Sequence, residues 1–190
     1  MFHIGNSDEQ RLVKRLRNGD NGAMKEFYSQ YETYLKGICS RYIINKEDAK
    51  DVFQNALIRI YTHIADFNYQ GAGSLRKWAS RIVVHEAIRF LNQIKRHELK
   101  EWDDNKMDVP EEDDPPIEDI PPEVIHEMVR QLPTGYRTVF NLYVFEDKSH
   151  EEIARLLGIS VNTSTSQLHR AKNLLADMIK QYNDKEQLPR

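Results

Sequence analysis

HEEIARLLGISVNTSTSQ, residues 150–167, is the stretch of sequence that decides the fold. Ser149 and the glutamate three positions after it form a capping box, which predicts the start of a helix. Ala154 is small enough for two helices to cross closely, and Gly158 tolerates the left-handed backbone of a tight turn. Ser160 can cap a second helix. These residue types at these offsets predict a helix-turn-helix.

The second helix of such a motif places its N-terminal end in the major groove of DNA. We expect Ser164 and Leu168 to point inward, which leaves a face of side chains suited to base edges and phosphates. The DNA-binding residues predicted on this face are Asn162, Thr165, Ser166, His169, Arg170 and Lys172. The alternative is a helical hairpin in an ordinary bundle, with a solvated polar face. We disfavour it because such a hairpin does not require Ala, Gly and Ser at these offsets.

Helical periodicity extends over the rest of the chain outside one acidic segment, and no segment has the pattern of a strand. Ser7 with Gln10, Asn45 and Ser74 predict helix caps, and Gly19 predicts a stop. The predicted buried stripe of the third helix is Val52, Ala56, Ile60 and Ile64, and that of the long fourth helix is Leu75, Trp78, Ile82, Leu91 and Ile94. The sequence predicts an all-α fold of two small helical domains, the first of them a four-helix bundle.

A tether at residues 97–121 is predicted to join domains at 1–96 and 122–183, with a tail at 184–190. It contains four of the seven prolines, few apolar residues and no helical period, which is typical of a flexible linker. Residues 101–123 carry eleven acidic side chains against one lysine, and this charge should keep the linker expanded. The 25 residues of the tether span at most ~80–90 Å.

Residues 71–100 are basic, with seven Lys or Arg against two acids, so the formal net charge of −3 hides two segregated charges. A polar stripe at helical spacing in this region consists of Arg81, His85, Arg89, Asn92 and Arg96. Tyr69 precedes it in a glycine-containing loop, and Trp78 lies one turn into the helix. Cations along one face beside aromatic rings are typical of single-stranded DNA binding. The sequence leaves open the alternative of a solvated basic face with Trp78 in the core.

The sequence does not contain the motifs of common catalytic or metal-binding sites. Three His-Glu pairs lack the second histidine of a zinc protease, and neither a phosphate-binding loop nor a calcium loop is present. Cys39 is the only cysteine, which excludes an internal disulfide, and its place in an apolar stripe predicts a core thiol. We therefore predict no catalytic residue, no metal and no cofactor. Neither a membrane span nor a signal peptide is evident, so we expect a cytoplasmic protein.

Three segments, in this order, resemble the extracytoplasmic-function sigma factors, the promoter-recognising subunits of bacterial RNA polymerase. Residues 48–61, DAKDVFQNALIRIY, resemble the helix that binds core polymerase. Residues 74–82, SLRKWASRI, resemble the promoter-melting segment, and residues 132–172 resemble the domain that reads the −35 element. The resemblance covers roughly residues 20–96 and 122–180. It implies a non-enzymatic transcription initiation factor whose partners are core RNA polymerase and promoter DNA, and which joins the nucleoid when on polymerase.

The resemblance also implies roles for individual residues. Core polymerase would bind Asp48, Asp51, Gln54, Asn55 and Arg59. The melted −10 bases would be captured and held by Tyr69, Ser74, Trp78, Arg81, His85, Arg89 and Arg96. The −35 duplex would contact the outward face of the helix-turn-helix. Because the reach of the tether exceeds two duplex turns, about 70 Å, both elements can be contacted together.

Two positions depart from the family pattern. Many relatives carry Asn where this chain has His85, and a basic residue where it has Thr165. Asn can pair bidentately with adenine, whereas a neutral His offers one donor and one acceptor. A missing cation at Thr165 weakens the attraction to phosphate. The departures bear on the promoter sequence and on −35 affinity.

The sequence also allows two other classes of protein. A free-standing helix-turn-helix regulator would bind duplex DNA without polymerase, but its receiver domain would need strand–helix alternation, which is missing. A nuclease using the carboxylates of the acidic tether is the least favoured class. The family resemblance further implies an anti-sigma factor that covers the binding faces. A separate hypothesis is self-inhibition, in which the acidic tether lies on the basic stripe.

Overall fold

The computed structural model describes residues 6–98 and 120–186, with side chains from Asp8 to Ile94 and from Ile120 to Asp184. Within these ranges all regular structure is helical, and the chain divides into two compact units, Met1–Gln93 and Ile94–Arg190. The predicted all-α, two-domain fold is confirmed. Among the described residues, no helix combines the length and apolar character needed to cross a bilayer.

Four helices build the N-terminal unit. They are α1 (Asn6–Arg17), α2 (Asn21–Tyr42), α3 (Lys46–His63) and α4 (Ser74–Glu98), and a 3-10 turn (Ile64–Asp66) follows α3. Helix α1 packs on α2 and on the 3-10 turn, and α2 packs on α3. The predicted stripe of α3 is confirmed, because Val52, Ala56, Ile60 and Ile64 are all buried.

Side-chain caps fix the starts of α2 and α3. The Asn45 amide oxygen accepts two backbone N–H groups of α3, at 2.9 and 3.1 Å, as predicted. Asp20 caps α2 in the same way, just after the predicted break at Gly19. The Arg15 side chain, hydrogen-bonded to Asp20 at 2.8 Å, holds the pKa of this carboxyl below its usual range. The cap of α2 is therefore also an ion pair with α1.

Two predicted caps are wrong. Ser7 lies inside α1, which begins at Asn6, and the Ser74 hydroxyl accepts the N–H of Gln70 instead of capping α4. The start of α4 is capped by the buried carboxylate of Glu9, which accepts two backbone N–H groups at 2.7 and 2.9 Å. A cap supplied by a different helix leaves no local signature in the sequence, which is why this one was missed.

The buried face of α4 is shifted from the predicted one. Leu75 and Leu91 are buried as expected, but Trp78 is only half-buried. The other residues of the observed buried apolar face are Ala79, Val83, Val84, Ala87 and Ile88, whereas Ile82 and Ile94 are half-buried. The prediction followed the largest apolar residues, whereas helices pack closely where side chains are small.

Cys39 lies in the core of the N-terminal unit, as predicted. Its Sγ is 3.4 Å from the carbonyl oxygen of Ala49, which ties α2 to the first turns of α3. Burial raises the pKa of this thiol to about 11.

The C-terminal unit contains four more helices. They are α5 (Pro122–Gln131), α6 (Thr134–Phe140), α7 (His150–Leu157) and α8 (Val161–Glu186), and a π-helical turn (Asn141–Phe145) extends α6. Helix α8 packs on each of the other three. One apolar cluster joins α5 to α8 and consists of Ile120, Met128, Val129, Leu132, Ala171, Leu175 and Ile179.

Arg137 is a buried charged residue at the junction of α5 and α6. Its guanidinium donates to the carbonyl oxygen of Leu132 at 2.6 Å, just after the end of α5. Burial lowers the pKa of Arg137 to about 10. The side chain thus satisfies backbone acceptors where α5 stops before Pro133, the stop predicted from sequence.

The predicted helix-turn-helix is present in the C-terminal unit. The Ser149 capping box at the start of α7 has both of its hydrogen bonds. Gly158 ends α7 in the left-handed conformation, with φ of 61°. The Ser160 hydroxyl accepts the backbone N–H of Thr163 at 2.9 Å and so caps α8. Ser164 and Leu168 point inward, as expected.

The observed helices overrun the predicted domain limits at two places. Helix α4 continues through Glu98, past the predicted start of the tether at 97, and α8 continues to Glu186, into the predicted tail. Most of the predicted tether, residues 99–119, lies outside the described residues. The boundaries of the domains and the tether stay predictions.

Replacing Gly158 by alanine should destabilise the C-terminal unit by about 1–2 kcal/mol, because a Cβ is disfavoured in the left-handed conformation although no atom lies close enough to clash. Gly37→Ala is the matched control. Gly37 lies inside α2 with space for a Cβ, and alanine there should stabilise by about 0.5–1 kcal/mol. Native-state hydrogen exchange measures the stability of each unit separately. A change of stability in the same direction for both variants would contradict the left-handed role of Gly158.

Candidate nucleic-acid and polymerase interfaces

A shallow groove of about 530 Å³ lies on the exposed side of α8. Its lining brings together five of the six residues predicted to contact the −35 duplex, and Leu168 forms its apolar floor. The five are Asn162, Thr165, Ser166, His169 and Lys172. The predicted residues therefore share one surface at the N-terminal half of α8, the end that a helix-turn-helix inserts into the major groove.

Two hydroxyls in this groove are already engaged with the helix. The Thr165 hydroxyl donates to the carbonyl oxygen of Val161 at 3.1 Å, and the Ser166 hydroxyl donates to that of Thr163 at 3.1 Å. With its hydrogen used, each oxygen can still accept a hydrogen bond. The groove thus offers hydroxyl acceptors beside the amide of Asn162 and the cation of Lys172.

Arg170 lies apart from the other five residues. It is half-buried, and its Nη1 lies 3.4 Å from the hydroxyl of Tyr136 on α6. The guanidinium is turned along the side of α8 toward α6, so it borders the groove without lining it. Such a position suits a contact to the phosphate backbone better than one to a base edge.

A polar interior holds α8 against α7, a feature that the sequence reasoning missed. His150 Nδ1 is 2.9 Å from the Ser164 hydroxyl, and the Tyr143 ring stacks on the imidazole with centroids 4.9 Å apart. Gln167 is fully buried, and its amide finds no hydrogen-bond partner among the described residues. The signal that could have revealed this interior is the helical spacing of Ser164 and Gln167 on the inward face.

In the N-terminal unit, the basic stripe of α4 lies on the surface. Arg81, His85 and Arg89 are all exposed on one face of the helix, as predicted. Asn92, also in the predicted stripe, is half-buried. The side chain of Arg96 lies outside the described residues.

The loop between the 3-10 turn and α4 follows Phe67 and carries the predicted aromatic. Tyr69 is half-buried, and its pKa is raised by burial and then by the negative charge of Glu9. Gly71 and Gly73 have φ of 104° and 82°, conformations that favour glycine, and they close the loop. Trp78 packs on Phe67 with ring centroids 5.1 Å apart, so one of its neighbours is already a protein ring. Through this ring contact Trp78 can support the loop from the protein side, as a core residue would.

The five predicted polymerase contacts lie along α3. Asp51, Gln54 and Asn55 are exposed, and Asp48 and Arg59 are half-buried. The structure separates them into two groups, because only Asn55 and Arg59 line a groove of about 660 Å³ between α3 and α4. The wall of this groove on the α4 side is formed by Glu86, Arg89, Phe90 and Gln93.

Glu86 joins α3 to the basic stripe of α4. Its side chain is 8% exposed and pairs with Arg59 of α3 at 2.5 Å and, more loosely, with Arg89 of α4 at 3.6 Å. A carboxylate taken out of water needs ion pairs or hydrogen bonds to offset its lost hydration, and two arginines supply the ion pairs here. Sequence reasoning did not single out Glu86, since nothing local distinguishes it from a surface glutamate.

Large apolar side chains are exposed beside the predicted polymerase contacts. Ile58 is 61% exposed and Tyr61 is 48% exposed, both on α3. Exposed apolar side chains next to polar ones are typical of protein–protein contact sites. Within the described ranges, no group of three or more His, Cys, Asp or Glu side chains is placed to hold a metal ion.

Two family models match the chain, one for each unit. Sigma-70 region 2 matches residues 27–97, and Sigma-70 region 4 matches residues 123–175, so that together they cover more than half of the chain. The chain belongs to the sigma-70 family. The resemblance found in the sequence is confirmed for the extracytoplasmic-function type, and the sigma factors of this family are non-catalytic initiation factors.

Relatives match this sigma factor over nearly their whole length. The RNA polymerase sigma-H factor of Pseudomonas aeruginosa is 27% identical, covering 88% of this chain and 91% of the relative. The ECF RNA polymerase sigma-E factor of Haemophilus influenzae is 28% identical, covering 90% of this chain and 95% of the relative. The solved structure of the sigma factor RpoE in complex with the anti-sigma factor NepR, from Bartonella quintana, is 18% identical, covers 82% of this chain and 96% of that one, and has a TM-score of 0.47.

Glu86→Gln should destabilise the N-terminal unit of this sigma factor by about 1–3 kcal/mol, because the Arg59 guanidinium loses a charged partner in a partly buried place. Glu32→Gln is the matched control, since Glu32 pairs with Lys36 on the surface of α2, and its loss should change stability by at most about 0.5 kcal/mol. Urea denaturation measures both. Similar effects would contradict a special role for Glu86.

Proposed function

We propose that this sigma factor binds core RNA polymerase through α3 and directs it to promoters by two separate DNA contacts. The C-terminal unit grips the −35 duplex, and the N-terminal unit captures −10 bases once the strands open. The observation that carries the proposal is the presence, on two separate units, of a polar groove on a helix-turn-helix and of an exposed cationic helix beside an aromatic loop. The chain performs no covalent step, and polymerase supplies the catalysis.

The −35 contact is supported by the groove on α8. Asn162 and Lys172 present an amide and a cation at the surface, and Thr165 and Ser166 present hydroxyl acceptors between them. These groups match the donors and acceptors on base edges and phosphates in the major groove. Arg170, turned toward α6, would contact the backbone and set the register.

The −10 contact is supported by the exposed face along the middle of α4 and by the loop before this helix. Arg81, His85 and Arg89 repeat at four-residue spacing and would follow the phosphates of one strand. The loop that contains Tyr69 and ends at Ser74 would hold a base that leaves the stack, at an expected cost of a few kcal/mol in unstacking. Trp78 would support this loop from below through Phe67.

The polymerase contact is supported by the mixture of polar and apolar groups on α3. Asp51, Gln54 and Asn55 are exposed next to the exposed side chains of Ile58 and Tyr61. Central apolar anchors surrounded by polar groups are the usual composition of a protein interface. Bound to core polymerase, the protein would act in the cytoplasm and associate with the nucleoid.

An anti-sigma factor is the second protein partner of the proposal, carried over from the family. Its binding would cover the groove between α3 and α4, which offers apolar, acidic and basic groups within one concave surface. Competition between core polymerase and such a partner for α3 would give regulation by occupancy.

Run-off transcription with purified core polymerase tests the proposed function directly. We expect promoter-specific transcripts from DNA selected by the reconstituted holoenzyme, and no such transcripts from core alone. Tight duplex binding by the isolated protein without any association with core would instead favour a free-standing regulator. Absence of association with core together with absence of transcripts would overturn the proposal.

Removing two polar groups of α3, with Gln54→Ala and Asn55→Ala combined, should lower the affinity for core polymerase about tenfold, since two interface contacts of moderate strength would be lost. Gln30→Ala on the exposed side of α2 is the control and should change the affinity by less than twofold. Fluorescence anisotropy of labelled sigma factor measures both, and the proposed face would be wrong if the two variants bound core equally well.

Restoring a cation in the −35 groove, with Thr165→Lys, should raise duplex affinity several-fold at low salt. The slope of log K against log salt should become steeper by about one, because one more phosphate is neutralised. Gln181→Lys adds the same charge at the other end of α8, where the side chain is exposed but lies outside the groove. A titration of DNA binding against salt for both variants separates the site from the overall charge.

A further inference from the structure

Helix α1 lies N-terminal to the residues matched by the region 2 family model, which begin at residue 27. Yet α1 makes side-chain contacts with both ends of the loop at 67–74, the loop to which the proposed function assigns −10 base capture. One contact comes from its first half, through Glu9, and the other from its last residue, Arg17.

Glu9 holds the C-terminal end of this loop. Glu9 is only 2% exposed, and one of its carboxylate oxygens accepts the N–H of Gly73 at 2.7 Å. The other oxygen accepts the N–H of Leu75 at 2.9 Å and the Ser74 hydroxyl at 3.4 Å. A carboxylate that receives several charge-assisted hydrogen bonds fixes its donors more firmly than a neutral acceptor would.

The buried setting of Glu9 makes its contacts hard to replace with water. Tyr31 of α2 is 5% exposed, and burial, followed by the charge of Glu9, raises the pKa of its phenol to about 12. The Tyr31 hydroxyl has no hydrogen-bond partner among the described residues. Glu9 therefore lies in a low-dielectric pocket, where hydrogen bonds are strong and an unpaired N–H group is costly.

Arg17 holds the N-terminal end of the loop. Its guanidinium donates to the carbonyl oxygen of Phe67, whose ring is buried against Trp78. The backbone therefore enters the loop from a fixed point. Between the two anchored ends, Asn68, Gln70 and Ala72 are exposed to solvent.

We propose that Glu9 and Arg17 are positioning residues that fix the two ends of the base-capture loop and thereby set the selectivity of this sigma factor for −10 bases. The inference rests on the proposed function. Neither side chain touches DNA. They act by holding the loop in the one shape that fits a flipped base, so that binding does not require the loop to be ordered first.

Two substitutions test the inference, each with a control on the same helix. Glu9→Gln replaces one acceptor oxygen by an amide that faces backbone donors, and Arg17→Gln removes the donor to Phe67. The controls are Asp8→Asn and Arg11→Gln, which break an exposed ion pair of 2.6 Å on α1 without touching the loop. Circular dichroism of each variant establishes that the helices are retained.

The measurement uses holoenzyme reconstituted with core polymerase. The probes are single-stranded non-template oligonucleotides that carry the −10 sequence selected by the wild type from a random library, and versions with each base replaced. We expect Glu9→Gln and Arg17→Gln to reduce discrimination at the captured base about tenfold. Affinity for core and for −35 duplex should change by less than twofold, and the control variants should match the wild type.

The outcomes separate the inference from the proposed function. If the wild type selects −10 bases and both test variants select them equally well, the positioning role is overturned and the proposed function stands. If the wild-type holoenzyme shows no base selection, the proposed function fails and the inference fails with it. Faster amide exchange at Gly73 and Leu75 in Glu9→Gln supports the anchoring itself without any DNA, and unchanged exchange contradicts it.

Discussion

The direction of α8 is fixed by a single left-handed residue, Gly158, and the surface of the C-terminal unit that is proposed to contact DNA depends on it. The turn lets α7 end and α8 begin within three residues, with Gly158 capping the end of α7 and the Ser160 hydroxyl capping the start of α8. The hydrogen bond between His150 and Ser164 then fixes the rotation of α8 about its own axis. The groove residues face outward because the opposite side of the same helix is committed to the core.

In the N-terminal unit, buried carboxylates rather than a tight turn fix the position of the functional helix. The Glu9 carboxylate of α1 caps the start of the long helix α4. Farther along α4, the buried carboxylate of Glu86 forms an ion pair with Arg59 of α3. The groups proposed to contact polymerase and those proposed to contact DNA are therefore linked through Glu86. A shift of α3 on a partner would change the ion pair of Arg89, because Arg59 and Arg89 share the Glu86 carboxylate.

The sequence predicted most of the fold because its signals were local. The cap at Asn45, the break at Gly19, the capping box at Ser149 and the left-handed Gly158 each depend on residues a few positions apart. The family resemblance supplied the order of the domains. The outward face of α8 was predicted for the same reason, since the positions of Ser164 and Leu168 determine which residues point away.

Most of the functional contacts that sequence reasoning missed join residues that lie far apart in the chain. Glu9 caps a helix that begins at Ser74, and Glu86 pairs with an arginine on another helix. The contact of the Arg170 side chain with Tyr136 is also long-range, since it depends on how α6 lies against α8. Long-range pairs of this kind follow from packing, for which periodicity within one helix gives only the buried side.

The core thiol has a consequence for how this sigma factor can respond to its surroundings. With a pKa of about 11, on the order of one Cys39 in 10⁴ is ionised at neutral pH, and the sulfur is sealed between α2 and α3. The thiolate is the form that attacks peroxides and disulfides, so Cys39 offers them almost no reactive species. Cys39 is therefore poorly suited to sense oxidants, and its contribution is to the packing of α2 on α3.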